Sequence, residues 1–221
     1  MPTKNKYQTL VFDMDGTLID TDLMIVLTYV DLFRLYRPEY KPTVKEMVHF
    51  SGPPLRETLR KCFPAADEDF MVNEYKRISR KYYRDYAIGF PQENETLLSL
   101  KKAGYQLAII TSKIHQDTLM CLDLLGLKRD MFDLIIGSDD VENNKPHPEA
   151  MQKTRALLKL AKADILYIGD NAVDIEFATA AGVDSMLVTW NIRQLPRDLN
   201  ATYQVNSFPE IMEVLNHEIR A

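Results

Sequence analysis

Short apolar runs recur along the chain, and each is followed by polar residues. The runs are Thr9–Phe12, Leu107–Ile110, Phe132–Ile136, Ile165–Ile168 and Ser185–Val188. Uninterrupted apolar runs of this length are typical of strands that are buried on both faces of a parallel sheet. Because helical patterns lie between them, the sequence predicts an α/β fold with a parallel, helix-covered sheet.

The helical patterns between the later runs have clear boundaries. The predicted helices are Ile114–Leu125, about Pro148–Leu160, about Val173–Ala181 and a terminal amphipathic helix over Phe208–Ile219. Gly126 and Gly182 follow two of these segments, and glycine is the residue that most often ends a helix.

Residues 20–89 break the alternation, because no convincing buried strand occurs there. Helical stretches are instead predicted at Leu23–Tyr36, Val44–Phe50, Leu55–Cys62 and Asp67–Tyr86, with prolines in the breaks between them. We therefore interpret residues 20–89 as a helical cap domain. It is inserted into a core made of residues 1–19 and 90–221, with hinges near the two junctions.

Composition narrows the possible classes of protein. The net charge of -5 over 221 residues argues against a general nucleic-acid binder. No apolar stretch approaches the ~20 residues of a membrane span, and the N-terminus lacks the apolar region of a signal peptide. Cys62 and Cys121 are far apart and outside any metal-binding spacing. We expect free thiols in a cytoplasmic protein, either a monomer or a homodimer.

Polar residues with chemical potential follow each of four apolar runs. Asp13 and Asp15 follow the first, Thr111-Ser112-Lys113 the second, Asn143–Pro146 the third and Gly169–Asp174 the fourth. The carboxyl ends of parallel strands converge at one edge of a sheet, so these residues are expected to share a pocket. Carboxylates bind a hard cation such as Mg²⁺, whereas lysine and hydroxyl groups bind phosphate. This combination is the apparatus of phosphoryl transfer.

Four motifs in this order resemble those of the haloacid dehalogenase-like (HAD) superfamily. They are Asp-x-Asp-Gly-Thr at Asp13–Thr17, the strand ending in Thr111-Ser112, Lys145-Pro146, and Gly-Asp-x-x-x-Asp at Gly169–Asp174. The resemblance covers the chain from residue 8 to about residue 190. It implies a Rossmann-like core with a helical cap inserted between the first two motifs.

The resemblance also implies catalytic roles. Asp13 would attack phosphorus and become an aspartyl phosphate. Asp15 would protonate the leaving oxygen and then activate water. Thr111 and the backbone N–H of Ser112 would hold phosphate oxygens. Lys145 would neutralise phosphate charge and keep Asp13 ionised.

The implied cofactor is Mg²⁺. Its ligands would be Asp13, the backbone carbonyl of Asp15, and Asp170. Asp174 would be a further ligand or would act through water. Alternatively, Asp174 is a first-turn carboxylate that the helix dipole favours.

The remaining candidate site residues also have interpretations that involve no function. In such an interpretation, Asp13 and Asp15 are a pair of turn residues at the end of a strand. Thr111 and Ser112 would be N-caps of the next helix, which is compatible with phosphate binding at the same place. Lys145 would be a solvated surface lysine.

Three features bear on the branch of the superfamily. Asp15 argues against a dehalogenase, because dehalogenases do not keep that aspartate. The segment Ser51–Thr58 is similar to a loop of the phosphoglycolate phosphatase and pyrophosphatase branch. Its Arg56 could bind a carboxylate or second phosphate of the substrate, or could simply be a surface residue. Asn191 departs from the glycine that is common in that branch.

The sequence therefore predicts a Mg²⁺-dependent phosphatase that acts on a small phosphorylated metabolite and has a phosphoglycolate phosphatase-like activity. Alternatives in the same family are an inorganic pyrophosphatase, a 5'-nucleotidase and a sugar phosphomutase similar to β-phosphoglucomutase. Outside that set, a receiver domain would lack the inserted cap, and a catalytically silent binding protein would not need the full acidic set.

Overall fold

A parallel sheet forms the centre of the computed structural model, which describes residues 5–51, 53–192 and 199–218. Across this sheet the strands lie in the order Leu134–Ile136 (β5), Gln106–Ile110 (β4), Thr9–Phe12 (β1), Ile165–Gly169 (β6), Asp184–Val188 (β7) and Tyr203–Val205 (β8). All neighbouring strands in it are parallel. The predicted α/β fold with a Rossmann-like sheet is therefore confirmed.

Helices cover both faces of this sheet. They are Glu93–Lys102 (α6), His115–Leu125 (α7), Glu149–Leu158 (α8), Ala172–Ala181 (α9) and Phe208–Glu218 (α10). Alternate residues of β1 enter different apolar clusters, with Leu10 and Phe12 on one side and Val11 on the other. This alternation explains why the strand is apolar throughout.

All the predicted apolar runs form strands, but β8 and α6 were not predicted. The alternating pattern of Tyr203-Gln204-Val205, half-buried, exposed and buried, is that of a strand at the edge of the sheet. Such a short segment gives little apolar signal.

The segment after β1 contains five helices in its described residues. They are Asp22–Tyr36 (α1), Val44–Val48 (α2), Leu55–Cys62 (α3), Glu68–Ser79 (α4) and Tyr83–Tyr86 (α5). Two short antiparallel strands, Ile19–Asp20 (β2) and Ile88–Gly89 (β3), pair where the chain enters and leaves this segment. We call the segment between them the cap. The division into domains at residues 19/20 and 89/90 stays a prediction.

The single helix predicted over Asp67–Tyr86 is wrong, since two helices occupy that segment. After α4, the backbone N–H of Lys81 donates to Ile78 and that of Tyr82 donates to Ser79, which are tight three-residue turns. The break gives Tyr83 its own helix, and its hydroxyl lies 3.1 Å from Nζ of Lys113 in the core. The helical periodicity of the sequence does not reveal this contact.

Some predictions fall on residues outside the described ranges. These include Gly52 in the predicted Gly-Pro-Pro loop, Ile219 at the end of the last predicted helix, and the first four residues of the N-terminal segment. Within the described residues, no helix combines the length and apolarity needed to cross a membrane.

Glu93 is a buried carboxyl group at the second junction between core and cap. Its residue is 5% exposed, and Oε1 has no hydrogen-bond partner in the described part of the chain. A Cβ atom at Gly89 would lie 2.5 Å from Oε2 of Glu93, so the carboxyl group packs directly against strand β3. Burial raises the pKa of Glu93 to about 8, although a hydrogen bond with the backbone of Phe90 opposes the change.

We expect Glu93→Gln to change how stability depends on pH. The folded protein keeps Glu93 protonated up to about pH 8, whereas the unfolded chain ionises it near 4.5. Stability is therefore retained below pH 4.5 and lost as the pH rises towards 8. The wild type should lose about 1.4 kcal/mol per pH unit relative to the variant within that window.

Urea unfolding from pH 5 to pH 8 measures this difference directly. Glu213→Gln is the matched control, because Glu213 is exposed on α10, away from Glu93. Parallel pH profiles for the wild type and Glu93→Gln would contradict the assignment.

Candidate active site

Three buried aspartates meet beyond the carboxyl ends of β1 and β6. Asp13 directly follows β1, Asp170 directly follows β6, and Asp174 lies in the first turn of α9. Carboxylate oxygens of all three lie within 4.8 Å of one another. Adjacent parallel strands thus bring together residues that are far apart in the sequence, as predicted from the strand ends.

Lys145 joins two of these aspartates. Its Nζ lies 2.7 Å from Oδ1 of Asp13 and 2.7 Å from Oδ1 of Asp174. The hydroxyl of Tyr167, on β6, lies 3.0 Å from the same Nζ. Only 4% of the Lys145 side chain is exposed, so it is not a solvated surface lysine.

Burial and the neighbouring charges have opposite effects on the pKa values of Asp13 and Lys145. Burial raises the pKa of Asp13 to about 6, while the ammonium group of Lys145 opposes that rise. Burial also works against the charge of Lys145, but the carboxylates of Asp13 and Asp174 outweigh it and raise the pKa of Lys145 above its usual value. The two carboxylates therefore favour the charged form of Lys145, and Lys145 in turn favours the ionised form of Asp13 against the effect of burial.

The carboxylate of Asp174 is surrounded by protein donors. Besides Lys145, the Tyr167 hydroxyl lies 3.0 Å from its Oδ1. Its Oδ2 accepts from the backbone N–H groups of Asp170 at 3.2 Å and Asn171 at 3.0 Å. A Cβ atom at Gly169 would lie 2.5 Å from Cγ of Asp174, which explains why glycine precedes Asp170. The first-turn position proposed as the simpler explanation is also observed.

Asp170 is fully buried and is oriented by two side chains. Thr17 donates from Oγ1 to its Oδ1 at 3.0 Å, and Asn191 donates from Nδ2 to its Oδ2 at 2.8 Å. Asn191 also donates to the backbone carbonyl of Gly16 at 3.2 Å. Asn191, which stands where the phosphoglycolate phosphatase and pyrophosphatase branch commonly has glycine, thus contacts both Asp170 and the loop after β1.

The acidic cluster fits a hard divalent cation. Asp13 and Asp170 supply carboxylate oxygens, and oxygen is the ligand type that Mg²⁺ prefers. Three buried carboxylates with one lysine leave an excess of negative charge, which is costly without a cation. Asp13 and Asp170 are the better placed ligands, because both oxygens of Asp174 already accept two donors each.

Asp15 is held separately from this cluster. Thr21, the residue before α1, donates from Oγ1 to its Oδ1 at 2.7 Å. Nζ of Lys113 lies 3.1 Å from its Oδ2. Nothing in the sequence marks Thr21 as a site residue. From the sequence, Lys113 borders the site and could contact phosphate, or be a solvated lysine at the start of a helix.

The predicted phosphate-binding residues lie together after β4. Thr111 is buried, and its Oγ1 accepts from the backbone N–H of Lys113 at 3.2 Å. Ser112 lines the same cavity as Asp13 and Asp15. Helix α7 begins only at His115 and has no side-chain cap bond, so neither Thr111 nor Ser112 is its N-cap.

The cavity has a volume of about 550 Å³ and lies between the core and the cap. Arg56 lines it, but Nη1 of Arg56 is paired with Glu68 at 3.1 Å and Asp69 at 2.6 Å, and its side chain is 54% exposed. The structure therefore brings the core residues together, whereas Arg56 is bound to the cap's own acidic residues.

The sequence model of the haloacid dehalogenase-like hydrolases matches residues 10–188. A pyrophosphatase PpaX from Halalkalibacterium halodurans is 32% identical over 214 residues, covering 96% of this chain and 98% of that protein. A pyrophosphatase PpaX from Bacillus cereus is 33% identical over 189 residues, covering 85% and 86%. The chain therefore belongs to the haloacid dehalogenase-like hydrolase family.

Solved structures agree with this assignment. A protein from Bacteroides fragilis, assigned to the haloacid dehalogenase-like hydrolases, has a TM-score of 0.85 and 28% identity, covering 93% of this chain and 100% of that chain. A predicted phosphoglycolate phosphatase from Haemophilus somnus has a TM-score of 0.82 and covers 95% and 98%. At 22% identity the second likeness shows the fold alone.

The different surroundings of Asp170 and Asp174 predict different effects on metal binding. We expect Asp170→Asn to weaken Mn²⁺ or Mg²⁺ binding roughly tenfold or more, because it removes an anionic group that a cation in this cluster would bind. Asp174→Asn should change that affinity by less than about threefold, yet lower turnover roughly tenfold or more, because it loosens Lys145.

Calorimetric titration of the metal into substrate-free protein measures the metal affinity of each variant separately from its turnover. Equal losses of metal affinity in both variants would show that Asp174 is itself a ligand.

Proposed function

We propose that this protein is a Mg²⁺-dependent phosphatase that hydrolyses a small phosphomonoester through an aspartyl phosphate on Asp13. The observation that carries the proposal is the buried pair of Asp13 and Lys145, in which Asp13 lines a cavity that Asp15 also lines. A nucleophilic carboxylate must be ionised, and the neighbouring ammonium group favours that form.

The first step would be an in-line displacement at phosphorus. A carboxylate oxygen of Asp13 forms a bond to phosphorus while the bond from phosphorus to the ester oxygen breaks. Asp15 gives its proton to the departing oxygen, so that an alcohol leaves. Thr111 and the backbone N–H of Ser112 hold the phosphoryl oxygens during transfer, and the positive charge of Lys145 offsets the charge on them.

The second step would hydrolyse the aspartyl phosphate. Asp15, now ionised, takes a proton from water as the water oxygen attacks phosphorus. The bond from phosphorus to Asp13 breaks, and inorganic phosphate leaves with the carboxylate restored. A bound Mg²⁺ supplies positive charge that offsets the charge developing on the phosphoryl oxygens.

Pyrophosphate is the second candidate substrate. Two relatives at 32% and 33% identity are named pyrophosphatase PpaX, and the cavity also has lysine and arginine residues in its walls. A phosphomutase would instead return the phosphoryl group to the sugar. Release of free phosphate without an isomeric product distinguishes the two reactions.

The cellular setting that we propose is the cytoplasm. Cys62 and Cys121 are buried free thiols, which suits a reducing compartment.

We expect phosphate release from p-nitrophenyl phosphate when Mg²⁺ is present and loss of it after chelation. The same assay with phosphoglycolate, pyrophosphate, a sugar phosphate and a nucleoside monophosphate ranks the substrates.

Asp13→Asn should abolish turnover, because the amide is a poor nucleophile. With beryllium fluoride as a phosphoryl mimic, density joined to any residue other than Asp13 would refute the nucleophile assignment.

Asp15→Asn tests the proposed double role of Asp15. Loss of general acid–base catalysis typically costs about 10²–10⁴-fold in rate, and we expect kcat to fall within that range. The thermal unfolding midpoint should also fall, because Asn leaves the buried ammonium group of Lys113 without its carboxylate partner, so kcat is measured at a temperature at which the variant is folded. Turnover near that of the wild type would exclude the acid–base role.

A further inference from the structure

Lys113 carries a buried charge that the proposed reaction has not used. Its side chain is 11% exposed and lines the cavity. Nζ contacts Oδ2 of Asp15 at 3.1 Å and the hydroxyl of Tyr83 at 3.1 Å. Lys113 thus connects the proposed acid–base residue with the cap.

The core fixes the backbone of Lys113 on both sides. Its N–H donates to Oγ1 of Thr111 at 3.2 Å, and its carbonyl accepts from the N–H of Ser138 at 2.9 Å. The ammonium group therefore enters the cavity from a rigid support rather than from a mobile surface position.

The two lysines of the site differ in how well their charge is compensated. Lys145 has two carboxylate partners, Asp13 and Asp174, whereas Lys113 has one carboxylate partner in the described part of the chain. An ammonium group has three N–H donors. Asp15 and Tyr83 take two of those of Lys113, which leaves one donor for a ligand in the cavity.

The arginine expected to meet a second anionic group is occupied elsewhere. Arg56 pairs with Glu68 and Asp69. Lys113 lies instead against the carboxylate that would protonate the leaving oxygen. An anionic group close to that oxygen would therefore come within reach of Lys113.

We propose that Lys113 is a specificity-determining residue that binds an anionic oxygen of the leaving group beside Asp15. This proposal rests on the proposed phosphatase function. It favours substrates with a second negative charge next to the scissile bond, such as a carboxylate one carbon away or a second phosphoryl group. Phosphate esters whose leaving group has no negative charge of its own make no such contact with Lys113.

The test compares two substrates that differ in one group, which is anionic in the first and uncharged in the second. Phosphoglycolate has a carboxylate where ethyl phosphate has a methyl group, and both need a proton on the same kind of leaving oxygen. We expect the wild type to prefer phosphoglycolate in kcat/KM by roughly tenfold or more, because a site built to bind a group rejects the analogue that lacks it. Lys113→Met should reduce this ratio roughly tenfold, and Lys113→Arg should retain part of it.

The ratio of the two kcat/KM values distinguishes a role of Lys113 in binding the substrate from a role in positioning Asp15. If Lys113 acted only through Asp15, both substrates would lose activity equally and the ratio would not change, which would overturn the proposal. A wild type that does not discriminate between the substrates would overturn it as well, without any variant. Lys102→Met is the matched control, since Lys102 is exposed on α6.

Failure of the proposed function would look different. In that case the wild type would release no phosphate from either substrate or from p-nitrophenyl phosphate, whatever the metal. Phosphate release from p-nitrophenyl phosphate together with an unchanged ratio leaves the phosphatase assignment intact and rejects the role of Lys113 alone.

Discussion

The buried ion pair of Lys145 with Asp13 and Asp174 is the interaction on which the rest of the site depends. Breaking a buried pair by removing one partner costs about 3–5 kcal/mol, because the other charge stays buried without compensation. The three residues come from the end of β1, the loop before α8 and the first turn of α9. Their attraction therefore fixes how three separate parts of the core pack, and the same contact keeps the proposed nucleophile ionised.

Close packing supports this charge arrangement. Gly169 leaves space for the carboxylate of Asp174, which a Cβ atom would fill. Once seated there, Asp174 accepts two backbone N–H groups at the start of α9, where the helix dipole also favours an anion. Asn191 stabilises the other side of the cluster by contacting Asp170 and the carbonyl of Gly16. Asn191, although unusual for the phosphoglycolate phosphatase and pyrophosphatase branch, is thus compatible with an intact acidic site.

The sheet and the acidic residues could be predicted because their signals are local. A buried parallel strand must be apolar, and the polar residues directly after it mark its carboxyl end. Tyr167 could not be assigned to the site in the same way. It lies within an apolar strand, and only the three-dimensional arrangement shows that its hydroxyl lies beside Lys145. The break between α4 and α5 was hidden for a similar reason, because only the three-dimensional arrangement shows that the hydroxyl of Tyr83 contacts Lys113 in the core.

The two aspartates after β1 differ most in which part of the chain holds them. Asp13 is held by Lys145, a residue of the core. Asp15 is held by Thr21, which lies at the start of the cap, and by Lys113, which contacts Tyr83 of the cap. A change in cap position would therefore alter the surroundings of Asp15 while leaving the charge of Asp13 compensated. In the proposed reaction the first proton transfer follows substrate binding, so the contacts of Asp15 with Thr21 and Lys113 would couple that transfer to the position of the cap.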